Sequence, residues 1–422
     1  MHAPAPIAWD APIVIATGAG ERGPWRQNDS HYDHVDDPAV VIDADGAAIV
    51  AWVDQRARGV LVARFARDGT SQRGEPVDVS RTPDVFSWLP RIALSPAHDE
   101  DVYVAWQEIV FSGGTHGGEL YVARSVDGGA SFEPARNLSR SIAGDGKGRI
   151  DADRWHNGSF DIVAGDSGMV FVAWTEYEGR LWLARSADRG ASFDRPRLVA
   201  SDEEHPARAP SLASDGDTVY LAWTTGEEPR ADIQLAVSRD GGATFSAPAR
   251  VAETETYSDA PKLAVASDGT LHVVYAESAG GPFDRFEIHH ARSHDGGATF
   301  TRPVVVSRPR RHGIESAHFP SLAVDGAVVH VAWETYPVHA EPPRGLAIAT
   351  SLDGGETFSA PTEVPHSVGP YGGGNGSFQG RLMRKLAARD GEVAIVNSSL
   401  ALGRGSQVWL IRGELAPARA AR

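Results

Sequence analysis

Short apolar runs that end in an aromatic residue recur along the chain and predict one strand in each of several repeats. They occupy residues 102–106, 170–174, 219–223, 271–275 and 328–333. Each run is short, rich in β-branched residues and bounded by Gly, Asp or Pro, which is typical of a strand and not of a helix. A second apolar strand follows each run. In four repeats a short segment that begins with Pro precedes the run, as at 210–213. The pattern therefore predicts strand-rich repeats.

An eight-residue segment, Ser-x-Asp-x-Gly-x-Ser/Thr-Phe, punctuates these repeats. It occurs at 125–132, 186–193, 238–245, 293–300 and 351–358, and its aspartates are Asp127, Asp188, Asp240, Asp295 and Asp353. Successive aspartates are 61, 52, 55 and 58 residues apart, which is the period of a four-stranded propeller blade. Asp accepts hydrogen bonds from its own turn, Gly supplies positive φ and Phe packs on apolar neighbours. We interpret the segment as a structural clip.

Two further units lack a full segment. Residues 38–64 form one unit and lead into a degraded copy around Asp68, whereas residues 386–411 supply only three strands. The missing strand lies at the N-terminus, where 9–12 repeats the aromatic-to-proline spacing of 245–248. We predict an all-β, seven-bladed propeller with four-stranded antiparallel blades, six blades being the alternative. It forms one domain over 1–415, with 7–15 completing the last blade and 416–422 as a flexible tail.

Composition narrows the functional classes. The 40 Lys and Arg residues against 56 Asp and Glu give a net charge of −16, which argues against a general nucleic-acid or anionic-membrane surface. No apolar run reaches the ~18 residues of a membrane-spanning helix. The absence of cysteine excludes disulfides and thiolate chemistry. We expect a secreted or periplasmic monomer that needs no cofactor, binds no nucleic acid and does not insert into a membrane.

The repeated segment is the Asp-box, and a chain with five of them resembles the sialidase (neuraminidase) superfamily of BNR-repeat proteins. That resemblance implies a first-blade arginine, two more arginines on the substrate carboxylate, an aspartate acid/base and a Tyr-Glu nucleophile pair. The chain departs from it, because Asp36 and Asp37 stand at the first-blade position and no aspartate occurs within 57–67. Seven-bladed relatives include polysaccharide lyases and a rhamnose-releasing hydrolase, whose His-Asn phrase resembles 154–158.

Ligands of propellers bind where segments entering the innermost strands and leaving the second strands converge, a face that we call the mouth. Basic side chains are frequent among these positions in an acidic chain, and guanidinium groups bind carboxylate or sulfate in a bidentate manner. We therefore predict an acidic oligo- or polysaccharide as the partner. The candidate substrate-binding residues are Arg56, Arg91, Arg208, Lys262, Arg381, Arg384, Trp88 and Asp37.

Three chemistries remain open. A tyrosine activated by glutamate gives a retaining glycosidase, for which the candidate pairs are Tyr257 with Glu277 and Tyr336 with Glu334. A His156–Tyr177 pair removes a proton α to a uronate carboxylate and gives a lyase. The third reading is a non-catalytic glycan- or protein-binding propeller. Our leading hypothesis is a sialidase-like glycoside hydrolase acting on an acidic glycan.

Histidines and aspartates cluster between residues 29 and 37 of blade one. This segment offers ligands for a hard divalent cation or zinc, although its spacing matches no known metal motif. The alternative is an acidic lip beside the mouth. The candidate ligands are His31, Asp33, His34 and Asp36.

Overall fold

Seven four-stranded antiparallel blades form a closed ring in the computed structural model, which confirms the predicted fold. The structure describes residues 7–72, 74–82, 84–110, 117–141, 143–252, 254–308, 313–369, 374–375 and 382–416. These residues form strands and turns, and none of their segments is a helix long and apolar enough to cross a membrane.

Each of the first six blades runs from the ring axis outward in chain order. Blade one comprises Val35–Ile42, Ala48–Asp54, Gly59–Phe65 and Val77–Asp78. Blade two comprises Ser87–Leu94, Val102–Glu108, Glu119–Ser125 and Arg136–Asn137. Blade three comprises Phe160–Ala164, Val170–Thr175, Leu181–Ser186 and Arg197–Ala200. The antiparallel connections place the start of each inner strand and the end of each second strand at the mouth.

The next three blades repeat this order. Blade four comprises Ala207–Asp215, Thr218–Thr225, Asp232–Ser238 and Ala249–Arg250. Blade five comprises Tyr257–Val265, Leu271–Ser278, Glu287–Ser293 and Val304–Val305. Blade six comprises Ser316–Asp325, Val328–Tyr336, Leu346–Ser351 and Thr362–Glu363.

Strands from the two ends of the chain share blade seven. Leu386–Arg389, Glu392–Ala401 and Gly405–Leu415 come from the C-terminal region, and Ile7–Trp9 and Ile13–Gly18 pair with the last of them. Gly374–Asn375 adds a short pairing to Glu392–Ala401. This exchange closes the ring and leaves no blade with an incomplete sheet, as the N-terminal spacing predicted.

Both faces of the second strands are buried because neighbouring blades pack face to face. Their aromatic residues are among the largest enclosed side chains, with Trp52, Trp106 and Trp174 at most 2 % exposed. A strand covered on both faces reads as a continuous apolar run and not as an alternation. The apolar runs in the sequence are therefore the inter-blade core of the ring.

The eight-residue segments form the expected clips at the end of each blade opposite to the mouth. In the copy around Asp188, its Oδ1 accepts hydrogen bonds from the Ser186 hydroxyl and the Ser192 amide, and its Oδ2 accepts one from the Ser192 hydroxyl. The Ser192 hydrogen bonds lower the pKa of Asp188 to about 2. Gly190 of this clip lies against Tyr103 of blade two. Each clip thus closes its own turn and packs on the preceding blade.

Two hairpins lie outside the blades. Glu21–Arg22 pairs with Tyr32–Asp33 next to blade one. Lys147–Asp151 pairs with Arg154–Asn157 between blades two and three, and we call residues 147–157 the mouth hairpin.

Candidate functional site

The innermost strands bend sharply where they enter the mouth. Asp37, Leu89, Ala209, Ala260 and Phe319 adopt positive φ of 50–61°, and each of them precedes a proline. The strand pairing shifts register beside these residues, so each is part of a β-bulge. Left-handed φ at a residue with a side chain costs about 1–3 kcal/mol, and such strain is concentrated at functional sites. The inner strands of five blades therefore begin at the mouth with equivalent strained bulges, which we call the bulged entries.

A short segment of the chain fills the ring axis beneath these entries. Residues 382–385, which we call the plug, precede the inner strand of blade seven. Arg91 Nη1 lies 2.6 Å from Met383 Sδ, and Lys262 Nζ donates to the Leu382 carbonyl at 2.9 Å. Arg384 of the plug donates from Nε to Asp161 Oδ1 at 2.9 Å. Side chains from several blades therefore bind to one central segment.

These contacts place three of the six predicted substrate-binding cations in the interior. Burial lowers the pKa of Lys262 to about 7 and that of Arg91 to about 10. Burial opposes ionisation of Asp161, but Arg384 and Lys262 outweigh it and hold its pKa below the ordinary value. Arg91, Lys262 and Arg384 thus neutralise an internal aspartate and do not form a carboxylate-binding surface. Arg381 lies outside the described residues.

Arg208 is the predicted cation that lies in a catalytic-type cluster at the mouth. Its Nη2 donates to the Tyr257 hydroxyl at 2.6 Å, and its Nε donates to Asp259 Oδ1 at 3.2 Å. Its Nη1 bonds to the Gly226 carbonyl. Thr224 Oγ1 donates to the same Asp259 oxygen at 2.9 Å. Arg208, Tyr257 and Asp259 are at most 1 % exposed, so the cluster is rigid and desolvated.

The charges in this cluster stabilise one another. Burial opposes ionisation of Asp259, but Arg208, His156 and His318 outweigh it and lower the pKa of Asp259. Burial raises the pKa of Tyr257, whereas Arg208 acts in the opposite direction. Asp259 is therefore a fixed anion, and Tyr257 is a protonated hydroxyl held by a guanidinium.

Two histidines complete the cluster from the flanking elements. His318 comes from the inner strand of blade six, and His156 comes from the mouth hairpin. Both rings contact the ring of Phe319, His318 in a stack at 3.7 Å and His156 edge-on at 5.7 Å. The two histidines are titratable groups of the type that commonly acts as acid or base. They lie with Asp259 on the Tyr257 side of the mouth.

The mouth hairpin covers Arg208. The Arg149 carbonyl accepts a hydrogen bond from Arg208 Nη1 at 3.5 Å, and the hairpin backbone at Gly148 lies against the Arg208 side chain. Burial lowers the pKa of Lys147 to about 8, and its Nζ donates to Asn157 Oδ1 at 2.7 Å. Lys147 is paired with Asn157 and Gly148 with His156, so alternation places this amine and this amide on the hairpin face opposite to His156.

Two of the predicted catalytic pairs are not brought together by the strand register. Ser258 is paired with Glu277, so alternation places Tyr257 and Glu277 on opposite faces of blade five. Glu277 instead accepts a hydrogen bond from Thr256 at 3.0 Å and faces His289 at 3.6 Å.

The His156–Tyr177 pair is separated in the same way. Tyr177 packs edge-on against Trp155 and donates to the Ala152 carbonyl at 2.6 Å. Trp155 and His156 are neighbours in a strand and point to opposite faces of the hairpin.

The third pair is in contact. Tyr336 donates to Glu334 Oε2 at 3.1 Å, and Lys385 Nζ donates to Glu334 Oε1 at 2.6 Å. All three side chains are buried beside the plug. Glu334 is therefore neutralised by an internal lysine.

The remaining candidates lie around blade one. Arg56 is exposed, Asp37 is fully buried near Arg91, and Trp88 is 4 % exposed beneath Trp25. No group of three or more potential metal ligands occurs in the described part of the chain. The proposed metal ligands make separate contacts instead, as Asp33 accepts from the Ala19 amide and Asp36 accepts from Ser398. His31, Asp33, His34 and Asp36 thus do not converge on one point.

A cavity of about 530 Å³ borders the Arg208 cluster on the side of blade four. Gly226 and Ala231 line it, and their backbones bond to Arg208 and to Ser258 beside Tyr257. Polar side chains such as His205 and Arg230 form other parts of the wall. The buried cluster therefore has an open, polar space at its edge.

Sequence reasoning missed Asp161, although its position carries a signal. Six inner-strand residues are paired with the residue just before the second-strand aromatic: Ala39, Arg91, Asp161, Ser211, Lys262 and Ser321. Five of these contact the plug; Ala39 is the exception. Aligning the repeats on that pairing reveals two cations and one anion around one axis, which a count of basic residues does not.

Comparison with known proteins defines the fold. No protein-family model and no curated protein matches the chain. An ulvan lyase of polysaccharide lyase family PL25, solved with -[GlcA(1-4)Rha3S]-, matches with TM-score 0.57 and 11% identity over 90% of this chain and 94% of that one. A protein of unknown function from Dyadobacter fermentans matches with TM-score 0.53 and 15% identity over 82% and 99%. The Hadza microbial sialidase Hz136 matches with TM-score 0.47 and 13% identity over 79% and 66%. This chain therefore shares its fold with the ulvan lyase and with the Dyadobacter fermentans protein, and membership of the sialidase superfamily is not shown.

Proposed function

We propose that the protein is a polysaccharide lyase that cleaves an acidic polysaccharide by β-elimination next to a uronate. The observation that carries this proposal is the Tyr257 hydroxyl, which lies 2.6 Å from Arg208 Nη2 and has histidines on the neighbouring elements. A hydroxyl held by a guanidinium and flanked by imidazoles is suited to proton transfer, because the cation stabilises the phenolate that forms.

The acid and the base of this reaction come from the cluster. A base removes the proton from the sugar carbon α to the uronate carboxylate, the electron pair forms a C=C bond, and the C–O bond at the β carbon breaks. The leaving oxygen takes a proton from an acid. We assign the base to one of His156 and His318 and the acid to Tyr257, with Arg208 holding the tyrosine. No water or external co-reactant is consumed.

The uronate carboxylate must be neutralised for its α carbon to lose a proton. Lys147 and Asn157 belong to the same hairpin as His156, and their side chains are joined at 2.7 Å on the hairpin face opposite to His156. Lys147 is a cation at neutral pH, since burial lowers its pKa only to about 8. A carboxylate-binding role for this pair therefore requires the sugar to pass over the edge of the hairpin.

The likeness to an ulvan lyase crystallised with a glucuronate-containing glycan supports the same class of substrate. The second candidate, a retaining glycoside hydrolase, is favoured by one observation, the Tyr336–Glu334 contact at 3.1 Å. We rank it lower because Lys385 already neutralises Glu334, and a glutamate paired in this way is a poor base for tyrosine.

A screen on ulvan, polygalacturonate and alginate tests both candidates. Elimination raises ultraviolet absorbance of unsaturated uronates together with reducing ends, whereas hydrolysis raises reducing ends alone. We expect elimination, with a loss of at least about 100-fold in Tyr257→Phe, the usual contribution of an acid/base group. Tyr275→Phe, a buried tyrosine on the opposite face of blade five, serves as the matched control and keeps its activity. Reducing ends without absorbance, abolished by Tyr336→Phe, establish the hydrolase instead.

A further inference from the structure

In the described part of the chain, the large aromatic side chains that are exposed lie at one end of the ring. Among the large hydrophobic residues that are exposed in the described part of the chain, three are aromatic: Trp25 at 47 %, Trp155 at 38 % and Phe283 at 48 %. The others are aliphatic; some lie on outer strands and clips, such as Leu198 and Leu352, and some follow second strands, such as Val338 and Leu402. Surface aromatics collected in one place mark a binding surface and not random exposure.

All three aromatic residues lie at the mouth. Trp25 packs edge-on against Trp88 at 5.6 Å, at the start of the inner strand of blade two. Its neighbour Asn28 anchors this segment by donating to the Ile109 carbonyl at 2.9 Å and accepting from the Phe86 amide at 3.1 Å. The indole is thus held in a fixed position on a folded segment and is available as a flat apolar surface.

The other two aromatics lie across the mouth from Trp25. Trp155 belongs to the mouth hairpin, and Phe283 follows the second strand of blade five. Arg154 links them, with its guanidinium 3.7 Å from the centre of the Phe283 ring. Blades two and five are three steps apart in a ring of seven, which is nearly opposite. The Arg208–Tyr257 cluster lies between the two aromatic groups, at the inner strands of blades four and five.

Arginines accompany the aromatics on both sides. Arg22 and Arg26 flank Trp25 in the sequence, and Arg154 and Arg285 flank Trp155 and Phe283. Arg154 and Arg285 keep about half of their side-chain surface exposed, although each also pairs with a glutamate. In a protein of net charge −16, these positions give the mouth the mixture of flat apolar and cationic groups that suits a sugar ring carrying carboxylate or sulfate.

We infer that the mouth binds an acidic polysaccharide through the middle of its chain, with one sugar stacked on Trp25 and others on Trp155 and Phe283. A single terminal sugar in the Arg208 cluster cannot reach both aromatic groups, so their joint use requires a chain that crosses the mouth. Cleavage then occurs internally. This inference deepens the proposed function and rests on it for the location of the cleaved bond.

Binding and cleavage are measured separately. For binding, Tyr257→Phe protein is run by affinity electrophoresis in gels containing ulvan, polygalacturonate or alginate, with uncharged pullulan as the reference polymer. We expect retardation in at least one acidic gel and none in pullulan. Adding Trp25→Ala or Phe283→Ala weakens binding about five- to tenfold each, the effect of one lost aromatic contact. The matched control is Leu198→Ala, an equally exposed side chain far from the mouth, which leaves binding unchanged.

For cleavage, the size of the products over time distinguishes the two modes of action. Internal cleavage lowers the viscosity of the polymer early, while release from an end leaves it high until late. Defined oligosaccharides should bind more tightly as they lengthen until they reach both aromatic groups. Unaltered binding in both aromatic variants, length-independent binding, or no retardation in any acidic gel overturns the inference. Aromatic-dependent, length-dependent retardation by a wild-type protein that cleaves nothing refutes the proposed lyase and retains the binding surface.

Discussion

Acid should unfold this propeller through three buried histidines between blades five, six and seven. His272 and His290 stack, with His272 Nδ1 3.0 Å from His290 Nε2, and His330 occupies in blade six the position of His272 in blade five. All three are at most 1 % exposed. Burial lowers the pKa of His272 and of His330 to about 4 and that of His290 to about 3.

The size of the effect follows from these values. An unfolded histidine titrates near ~6.5, so below that pH the unfolded chain binds protons that the folded chain refuses. The contribution of these histidines to stability is therefore constant above about pH 6.5 and falls on acidification until their folded pKa is reached. Each histidine contributes about 1.4 kcal/mol per pH unit, which gives about 2 kcal/mol each and about 6 kcal/mol together at pH 5.

Urea unfolding at pH 7.5, 6 and 5 and constant ionic strength measures this loss. The informative variant is His290→Leu, because leucine is the residue at the equivalent position of blade four, Leu235. We expect the variant to lose about 2 kcal/mol less than the wild type between pH 7.5 and pH 5. Parallel pH dependences of the two proteins refute the argument, because His290 would then bind its proton equally in the folded and unfolded states.

Three further predictions concern the clips, the axis and the hairpin. Gly190→Ala, whose new Cβ meets Tyr103 at 2.7 Å, should destabilise by about 1–3 kcal/mol more in urea unfolding than Gly391→Ala, a glycine of the same φ with open space around it. Asp161→Asn should cost about 3–5 kcal/mol in the same assay, since it leaves the cations of the plug without their counter-charge; an unchanged midpoint contradicts the plug description. The double variant Glu227→Gln, Glu228→Gln removes the ion pairs that these glutamates make with Arg149 and Arg154 of the mouth hairpin. We expect trypsin to cleave at these arginines about two- to fivefold faster than in the control variant Glu356→Gln. Glu356 is a clip carboxylate that pairs with an arginine outside the mouth.

The architecture was predictable because the same short sequence signals recur in most of the blades. Turn chemistry marks each clip, and burial on both faces makes the second strands continuous apolar runs, so neither signal depends on distant contacts. The N-terminal closure was also recoverable, since the outer strand of blade seven keeps the aromatic-to-proline spacing of its equivalents. Repetition supplied several independent copies of the same evidence.

The site was less predictable because its pairs depend on register and on counter-charges from distant blades. Tyr257 and Glu277 occur at suitable positions along the chain, yet the pairing of Ser258 with Glu277 places them on opposite faces. Arg91 and Lys262 were expected to face the substrate, but the plug lies more than a hundred residues from either and meets both at the axis. Neither fact can be read from a single blade.

The plug explains why the mouth has a floor and why the candidate catalytic residues lie in one sector of it. Residues 382–385 bind side chains of blades two to six, so this segment forms a floor beneath the bulged entries. Beneath blades two and three the cations and Asp161 neutralise one another at the axis. At blade four the corresponding residue is Ser211, and Arg208 lies three residues earlier, outside the plug network. The Arg208 guanidinium is therefore available to bind the Tyr257 hydroxyl. Because the charges differ from blade to blade in an otherwise regular ring, the candidate catalytic residues lie at blades four and five.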